Sequence, residues 1–362
     1  MKTNIELPIM PCNFGFEATF HPNMKLPKNI VSNILSKGCD MQGFWDKLYS
    51  YNIFEGLSYE EYINKLIDKE ELLFDDNSSS DCEGIYEIES KIISPSDLNK
   101  FINDYEKLLK ITKKAGLIES SKGDFYPFEG GGHIHINVSD LKYEFKILFF
   151  ENIVKLFINH PYINWIFGQA NDKESFQNYH LRLFRLFESN FKDLTPLTIK
   201  KEDYIEYYFQ NKFYYDGFRS VGDKNFALNP SRTTSYQTLE MRFFQMPKSV
   251  NQLICHLDFV RAIYTYCYFL TKENKSISFN ENVKFALSES LSDEKFIYDF
   301  DEEIYKKLIE QYYQSISFED SVKGFISLSK EIKFDDSNVE KLGLYEDNLR
   351  VRYELYGKDY LN

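Results

Sequence analysis

The chain has 362 residues, 43% of them hydrophobic and 17% aromatic, enough to bury one large core or two ordinary ones. Its formal net charge of −13 argues against a broad electrostatic grip on nucleic acid or an anionic membrane, and leaves room for a local basic pocket. The 27 Tyr and 33 Phe make an aromatic-rich core, which suits sheet surfaces.

Met1 to Pro11 contains no apolar stretch of signal-peptide type. The first predicted strand is Phe14–Phe20, FGFEATF, and residues 27 to 73 read as mainly helical, with an amphipathic run over 59–73. A Ser/Asp-rich turn, DDNSSSD over 75–81, precedes a second strand over 85–93. Ser96 and Asp97 are capping candidates for a helix running to about Ala115, with Gly116 as its stop. Three glycines, 130–132, lead into a third strand over 133–138. Ser139 or Asp140 is expected to cap the helix that follows, from about Lys142 to Ile158. The apolar stretch over 143–168 is interrupted by Lys146, Glu151, Asn152, Lys155, Asn159, His160 and Pro161, so it is not expected to span a membrane. A fourth strand over 237–245, with TLEMRFF at its centre, ends at Met246-Pro247, and a long helix follows from about Val250 to Leu270. The last 90 or so residues are acidic and predicted helical, chiefly over 288–333. The five cysteines, at 12, 39, 82, 255 and 267, form no CxxC pair, which fits reduced thiols and a cytoplasmic protein.

Strands separated by single helices would suit a parallel α/β sheet, but parallel strands buried on both faces read as continuous apolar runs. Here polar and apolar residues alternate, which predicts an antiparallel sheet with one polar face. Side chains two apart on a strand point the same way. Glu17 and Thr19 therefore share a face, as do Glu87 and Glu89, His133, His135 and Asn137, and Thr238, Glu240 and Arg242. A solvated outer face would mix Lys, Ser, Thr and Glu. Here Glu, His and Arg dominate, and glycines (Gly15, Gly84, Gly130 to Gly132) flank three of the strands, where backbone can approach a ligand closely. Carboxylates with an imidazole suit Mg2+ or Mn2+ bridging phosphates, and the Arg242 guanidinium suits a phosphate oxygen.

These segments, FGFE, DDNSSSD followed by GIYEIES, GGHIHIN and TLEMRFF, resemble in order the amidoligase family of the glutamine synthetase and glutamate–cysteine ligase superfamily. The resemblance covers about 14–270. It implies an α+β fold with a curved, glutamine-synthetase-like antiparallel sheet, helices on its outer face and a helical C-terminal extension. The expected division is a catalytic domain over 1–271, with the helical insertion at about 27–73, and an acidic segment over 272–362. The implied activity is ATP-dependent amide-bond formation through an acyl phosphate, with ATP and Mg2+ or Mn2+ as cofactors. The implied partners are carboxylate and amine substrates, small molecules or peptides, with neither nucleic acid nor membrane.

The resemblance also implies roles. Glu17, Glu87, His133 and Glu240 match the metal-binding positions, and Asp76 and Ser78 match the acidic turn before the second strand. Arg242 matches the arginine on the transferred phosphoryl group. Arg219, Lys224 and Asn229, on the approach to the last strand, are nucleotide-side residues with His135, and Glu89 or His135 is the candidate base. The chain departs from the family at Thr19, where a second Glu is usual, and at Ser90-Lys91, where Ser-Pro is usual, with Pro95 nearby. Losing one carboxylate removes a donor, and Glu89 is the available substitute.

Two other readings follow from the same residues. A His-x-His strand pair also serves zinc hydrolases, although His21, His160, His180 and His256 show no ligand spacing, and His160 and His256 read as belonging to a helix end and a helix face. Thr19 also suits a degenerate, non-catalytic binding protein on the same fold. Lys113-Lys114 and Lys200-Lys201 read as solvated helix surface, Arg182 and Arg185 as ion-pair residues, and the Tyr/Phe run over 204–215 as core.

Overall fold

A computed structural model describes residues 5–22, 59–74, 80–81, 85–115, 117–118, 131–160, 162–168, 228–229, 238–278, 280–281 and 316–345. The class is α+β, with helices and an antiparallel sheet that does not close on itself. The chain divides into two compact units, Met1–Ile136 with Phe244–Leu257, and Asn137–Phe243 with Asp258–Asn362.

In the first unit the strands β1 (Phe14–Pro22), β2 (Ser80–Asp81), β3 (Ile85–Glu89), β4 (Leu117–Ile118) and β5 (Gly132–Asn137, whose last residue falls in the second unit) are antiparallel to their partners. β1 lies between β3 and β5, β2 pairs with the far side of β3, and β4 pairs with the end of β1. The alternation expected of FGFEATF is present. Phe14, Phe16 and Ala18 are buried on one face, and Glu17 points to the other. Of the helices α1 (Tyr59–Lys69) and α2 (Leu98–Ala115), α2 packs on the buried face itself, and α1 packs on α2. Leu98, Phe101, Ile102, Tyr105, Leu108, Leu109 and Thr112 make the buried stripe of α2 at helical spacing, while Lys100, Lys107 and Lys110 stay at the surface. Phe101 meets Phe14 edge to face with centroids 5.4 Å apart, Tyr105 meets Phe16 at 5.4 Å, and the Tyr105 hydroxyl donates to the Pro247 carbonyl at 2.6 Å.

The second strand is shorter than the sequence suggests. Regular pairing stops at Glu89, where Ser90 takes over both main-chain groups of Phe16. The Phe16 N–H donates to Ser90 Oγ at 2.8 Å, and the Ser90 N–H donates to the Phe16 carbonyl at 2.7 Å. A hydroxyl in the ladder ends the strand without leaving a donor unpaired. The chain then forms a 3-10 turn, Pro95–Asp97, with Ser94 at its N-cap and Ser94 Oγ donating to Asp97 at 2.7 Å, so α2 begins one residue beyond the capping residues proposed. Gly132 is needed for its size. Its N–H donates to the Phe244 carbonyl at 3.0 Å, and a Cβ there would lie 2.8 Å from Pro247 Cδ and 2.9 Å from the Gln245 carbonyl.

In the second unit β6 (Leu228–Asn229) pairs antiparallel with β7 (Thr238–Met241). The helices are α3 (Tyr143–Asn159), α4 (Tyr162–Phe167), α5 (Val250–Lys272, whose residues 250–257 count with the first unit), α6 (Phe318–Ile332) and α7 (Ser337–Lys341). The N-cap of α3 is Lys142, without a side-chain cap, in place of the Ser139 or Asp140 expected. Ser139 and Asn137 instead close a local turn, with the Ser139 N–H donating to Asn137 Oδ1 at 2.8 Å. Phe167 stacks on Phe259 at 4.3 Å, and Phe325 and Phe334 complete an aromatic core between α4, α5 and α6.

The polar residues that interrupt the apolar stretch of α3 have partners. Asn152 accepts from the Ile277 N–H at 2.7 Å and donates to the Lys275 carbonyl at 3.0 Å. Asn159 accepts from the Asn280 N–H at 2.9 Å and donates to the Ser278 carbonyl at 2.9 Å. Between them Lys155 is fully buried against Glu151 at 2.7 Å, and Ser276 Oγ bonds to both. Two carboxamides and a buried ion pair thus hold the chain leaving α5 along the side of α3. Among the described residues no helix is long and apolar enough to cross a membrane.

Candidate functional site

The register across the first unit's sheet fixes which polar residues sit side by side. Glu17 on β1 is the direct partner of His133 on β5 and, on its other side, of Glu89 on β3. Directly opposed residues of an antiparallel pair have Cβ atoms about 4.5–5.5 Å apart, so these three form one row on the polar face. Glu87, the acid matched to the metal position, is instead the partner of Thr19. The row containing the missing carboxylate is therefore the Glu87 row, and the acid level with Glu17 is Glu89. The side chains of Glu87 and Thr19 lie outside the described residues, and Glu89 is exposed.

Glu17 divides its carboxylate between two imidazoles. Oε1 lies 2.7 Å from His133 Nδ1, a hydrogen bond, and Oε2 lies 3.6 Å from His135 Nε2. The side chain of His133 is 4% exposed, that of Glu17 13% and that of His135 22%, so the face is largely withdrawn from solvent at β1 and β5 while Glu89 on β3 is exposed. Gly15 is the cross-strand partner of His135 and has no side chain to compete with its ring.

In the second unit Glu240 is held on β7 opposite Asn229 on β6. Its carboxylate is 1% exposed and ion-paired to the Arg242 guanidinium, one residue past the end of β7. A buried carboxylate needs such a counter-charge. Glu17, His133 and Glu240 each offer an atom that a metal ion accepts. The donor types fit a divalent cation, since carboxylate oxygens suit Mg2+ and Mn2+ and a mixed set with imidazole suits Mn2+ and Zn2+.

Not every sequence-derived candidate can be placed. Arg219 and Lys224 lie outside the described residues, as do Asp76, Ser78, Arg182, Arg185 and the Tyr/Phe run over 204–215. Only the backbone of Asn229 is described. Ser90, whose hydroxyl anchors the backbone of Phe16 beside Glu17, is a positioning residue that the strand pattern did not reveal.

Two further histidines are explained by the fold. His160 ends α3 and contacts the Tyr162 hydroxyl, and His256 on α5 stacks on Phe244 with centroids 4.8 Å apart. Burial lowers His160 from its usual 6.5 to about 4 and His256 to about 3. In the unfolded chain both imidazoles protonate near pH 6.5, while in the folded chain they stay neutral to these lower values. The unfolded state therefore binds more protons between about pH 3 and 6.5, and stability present above 6.5 is lost as pH falls through that window. We expect the thermal midpoint to fall on acidification and His256→Leu to reduce the slope of that fall. An unchanged slope would show that His256 is not held neutral.

No protein-family model matches the chain, and no curated protein does. Among solved structures it is similar to a bifunctional glutathione synthetase from Pasteurella multocida, at 12% identity and a TM-score of 0.30. The match covers 95% of this chain and 51% of that one, so the chain spans about half the length of the enzyme it matches.

Proposed function

We propose that the chain is an ATP- and divalent-cation-dependent carboxylate–amine ligase. The observation that carries this reading is the Glu17 carboxylate set between the two imidazoles of a His-x-His strand, on a largely buried polar face. The support for ligase chemistry in particular is the order of the four strand motifs in the sequence. In the proposed site Glu17 and His133 are donors to the cation, with an acid from β3 beside them, and Glu240 is a further proposed ligand on the sequence resemblance alone. In the reaction a substrate carboxylate takes the γ-phosphoryl group of ATP, releasing ADP, and the amine then displaces phosphate to form the amide. The cation, when bound, neutralises charge on the phosphates.

The chain's own residues orient and protect. Glu17 supplies negative charge that seats the cation, and burial around His133 keeps water from competing. Arg242 is proposed to move from Glu240 to the phosphoryl group, since a carboxylate and a phosphoryl group each offer two oxygens to a guanidinium. Glu89, exposed and level with Glu17, is proposed to accept the proton the amine loses. Arg219, Lys224 and Asn229 are proposed nucleotide contacts. A catalytically degenerate binding protein is the second reading, favoured by the register that sets Thr19, not an acid, beside Glu87.

Calorimetric titration with a non-hydrolysable ATP analogue, with Mg2+ and then with EDTA, tests the proposal. Cation-dependent binding is the expected result, and binding in neither condition would overturn it. Binding followed by no phosphate release with any acid and amine would select the degenerate reading.

A further inference from the structure

We infer that Gln245 is the residue that binds the amine substrate, its carboxamide oxygen accepting an N–H from a primary amine or ammonium held on the polar face of the first unit's sheet. The inference rests on the ligase reading and deepens it, adding a residue that takes no part in cation binding.

Gln245 is 3% exposed, and its Oε1 is buried with no hydrogen-bond donor among the described residues. The large majority of buried polar side-chain atoms have a partner, so an orphaned oxygen calls for a donor that the chain does not supply. The register says which face that oxygen serves. Gly131 and Gln245 oppose one another across an antiparallel bridge, and the Gly132 N–H donates to the Phe244 carbonyl at 3.0 Å. Directly opposed residues point to the same side of a sheet, and so do residues two apart on one strand. Gln245 therefore shares a face with Gly131, His133 and His135, and through the His133 pairing with Glu17. Phe244, one residue earlier, turns the other way and stacks on His256. His133 is the diagonal neighbour of Gln245, a separation of about 7–8 Å that long side chains can reach across. Directly opposite the carboxamide, Gly131 has no side chain of its own.

The neighbours select the ligand. A carboxamide oxygen accepts hydrogen bonds and carries no charge. The Glu17 carboxylate on the same face disfavours an anion and favours a group that is positive or rich in N–H. A second carboxylate in place of Gln245 would hold an amine in its protonated form, with no lone pair for attack. A neutral acceptor orients the N–H without adding that charge.

The test uses NMR on the full chain carrying nitrogen-labelled glutamine. The Gln245 side-chain amide is the signal missing from Gln245→Leu and from Gln245→Glu. At constant ionic strength, with and without the ATP analogue and Mg2+, the protein is titrated with methylammonium, tetramethylammonium and adenosine. Methylammonium should shift the Gln245 signal saturably. Tetramethylammonium, which has the charge but no N–H, and adenosine, whose amino group is the nucleobase source of the same donor, should leave it in place. No shift with methylammonium in either condition, an equal shift with tetramethylammonium, or a shift with adenosine alone would each overturn the inference. Stability is the second readout. Gln245→Leu removes an orphaned polar group, so its thermal midpoint should be unchanged or raised. A marked fall would mean that the carboxamide has a partner inside the protein, and would also overturn the inference. The result is separable from the ligase reading. A methylammonium shift without ATP-analogue binding would keep the amine site and remove the ligase. Magnesium-dependent analogue binding with a silent Gln245 signal would do the reverse.

Discussion

Glu240→Gln is expected to lower ATP consumption by about 100-fold or more while the protein stays folded, since removing one preorganised electrostatic group from an active site typically costs that much. Glutamine keeps the shape of the side chain and one carbonyl acceptor for Arg242, so packing around β7 is preserved. What is lost is the charge, and with it the proposed role in seating a cation. Glu240 is 1% exposed, and almost no water is present to take over its role. Arg242→Ala should be as damaging to turnover for a different reason. It removes the guanidinium proposed for the phosphoryl group and also leaves the buried carboxylate without its counter-charge, so some loss of stability accompanies it. Phosphate release measures the first effect and thermal unfolding the second. If Glu240→Gln retains wild-type phosphate release with a substrate pair that the wild type turns over, Glu240 is not part of the machinery.

Which residues share the polar face could be read from residue spacing, because strand geometry is local. Period-two alternation places Glu17 opposite Phe14, Phe16 and Ala18, and His133 and His135 on one side of their strand, whatever the rest of the chain does. Register is not local. Nothing in IYEIES says that Glu89, and not Glu87, stands level with Glu17. That depends on where Ser90 ends the ladder and where the chain bridges Ile93 back to Phe14, which are contacts between segments far apart in sequence. The cap of α3, though not its start, differs from the expected one for a related reason. Ser139 is a good capping residue by type, yet Asn137 uses it in a turn one step earlier. The histidines that composition left unassigned, His160 and His256, are read correctly as belonging to a helix end and a helix face.

Lys155→Met is expected to destabilise the chain by about 3–5 kcal/mol, because it leaves Glu151 buried without its counter-charge. Lys155 is fully buried on the apolar helix α3, and such a residue persists there only when paired. Its ammonium lies 2.7 Å from Glu151 and 3.1 Å from Ser276 Oγ, and Ser276 Oγ donates to the same carboxylate at 2.8 Å. The methionine side chain fills the space but makes neither bond. The double change Lys155→Met with Glu151→Leu should recover most of the loss, since two apolar groups of similar volume often replace a buried ion pair at little cost. The pair also holds Ser276, so amide exchange over 275–280 should rise in the single variant. In the double variant it should remain raised near Ser276 while the Asn152 and Asn159 contacts still protect their partners. If Lys155→Met costs under about 1 kcal/mol, Glu151 has found water or a proton once Lys155 is gone, and the pair is not buried in solution as it is here.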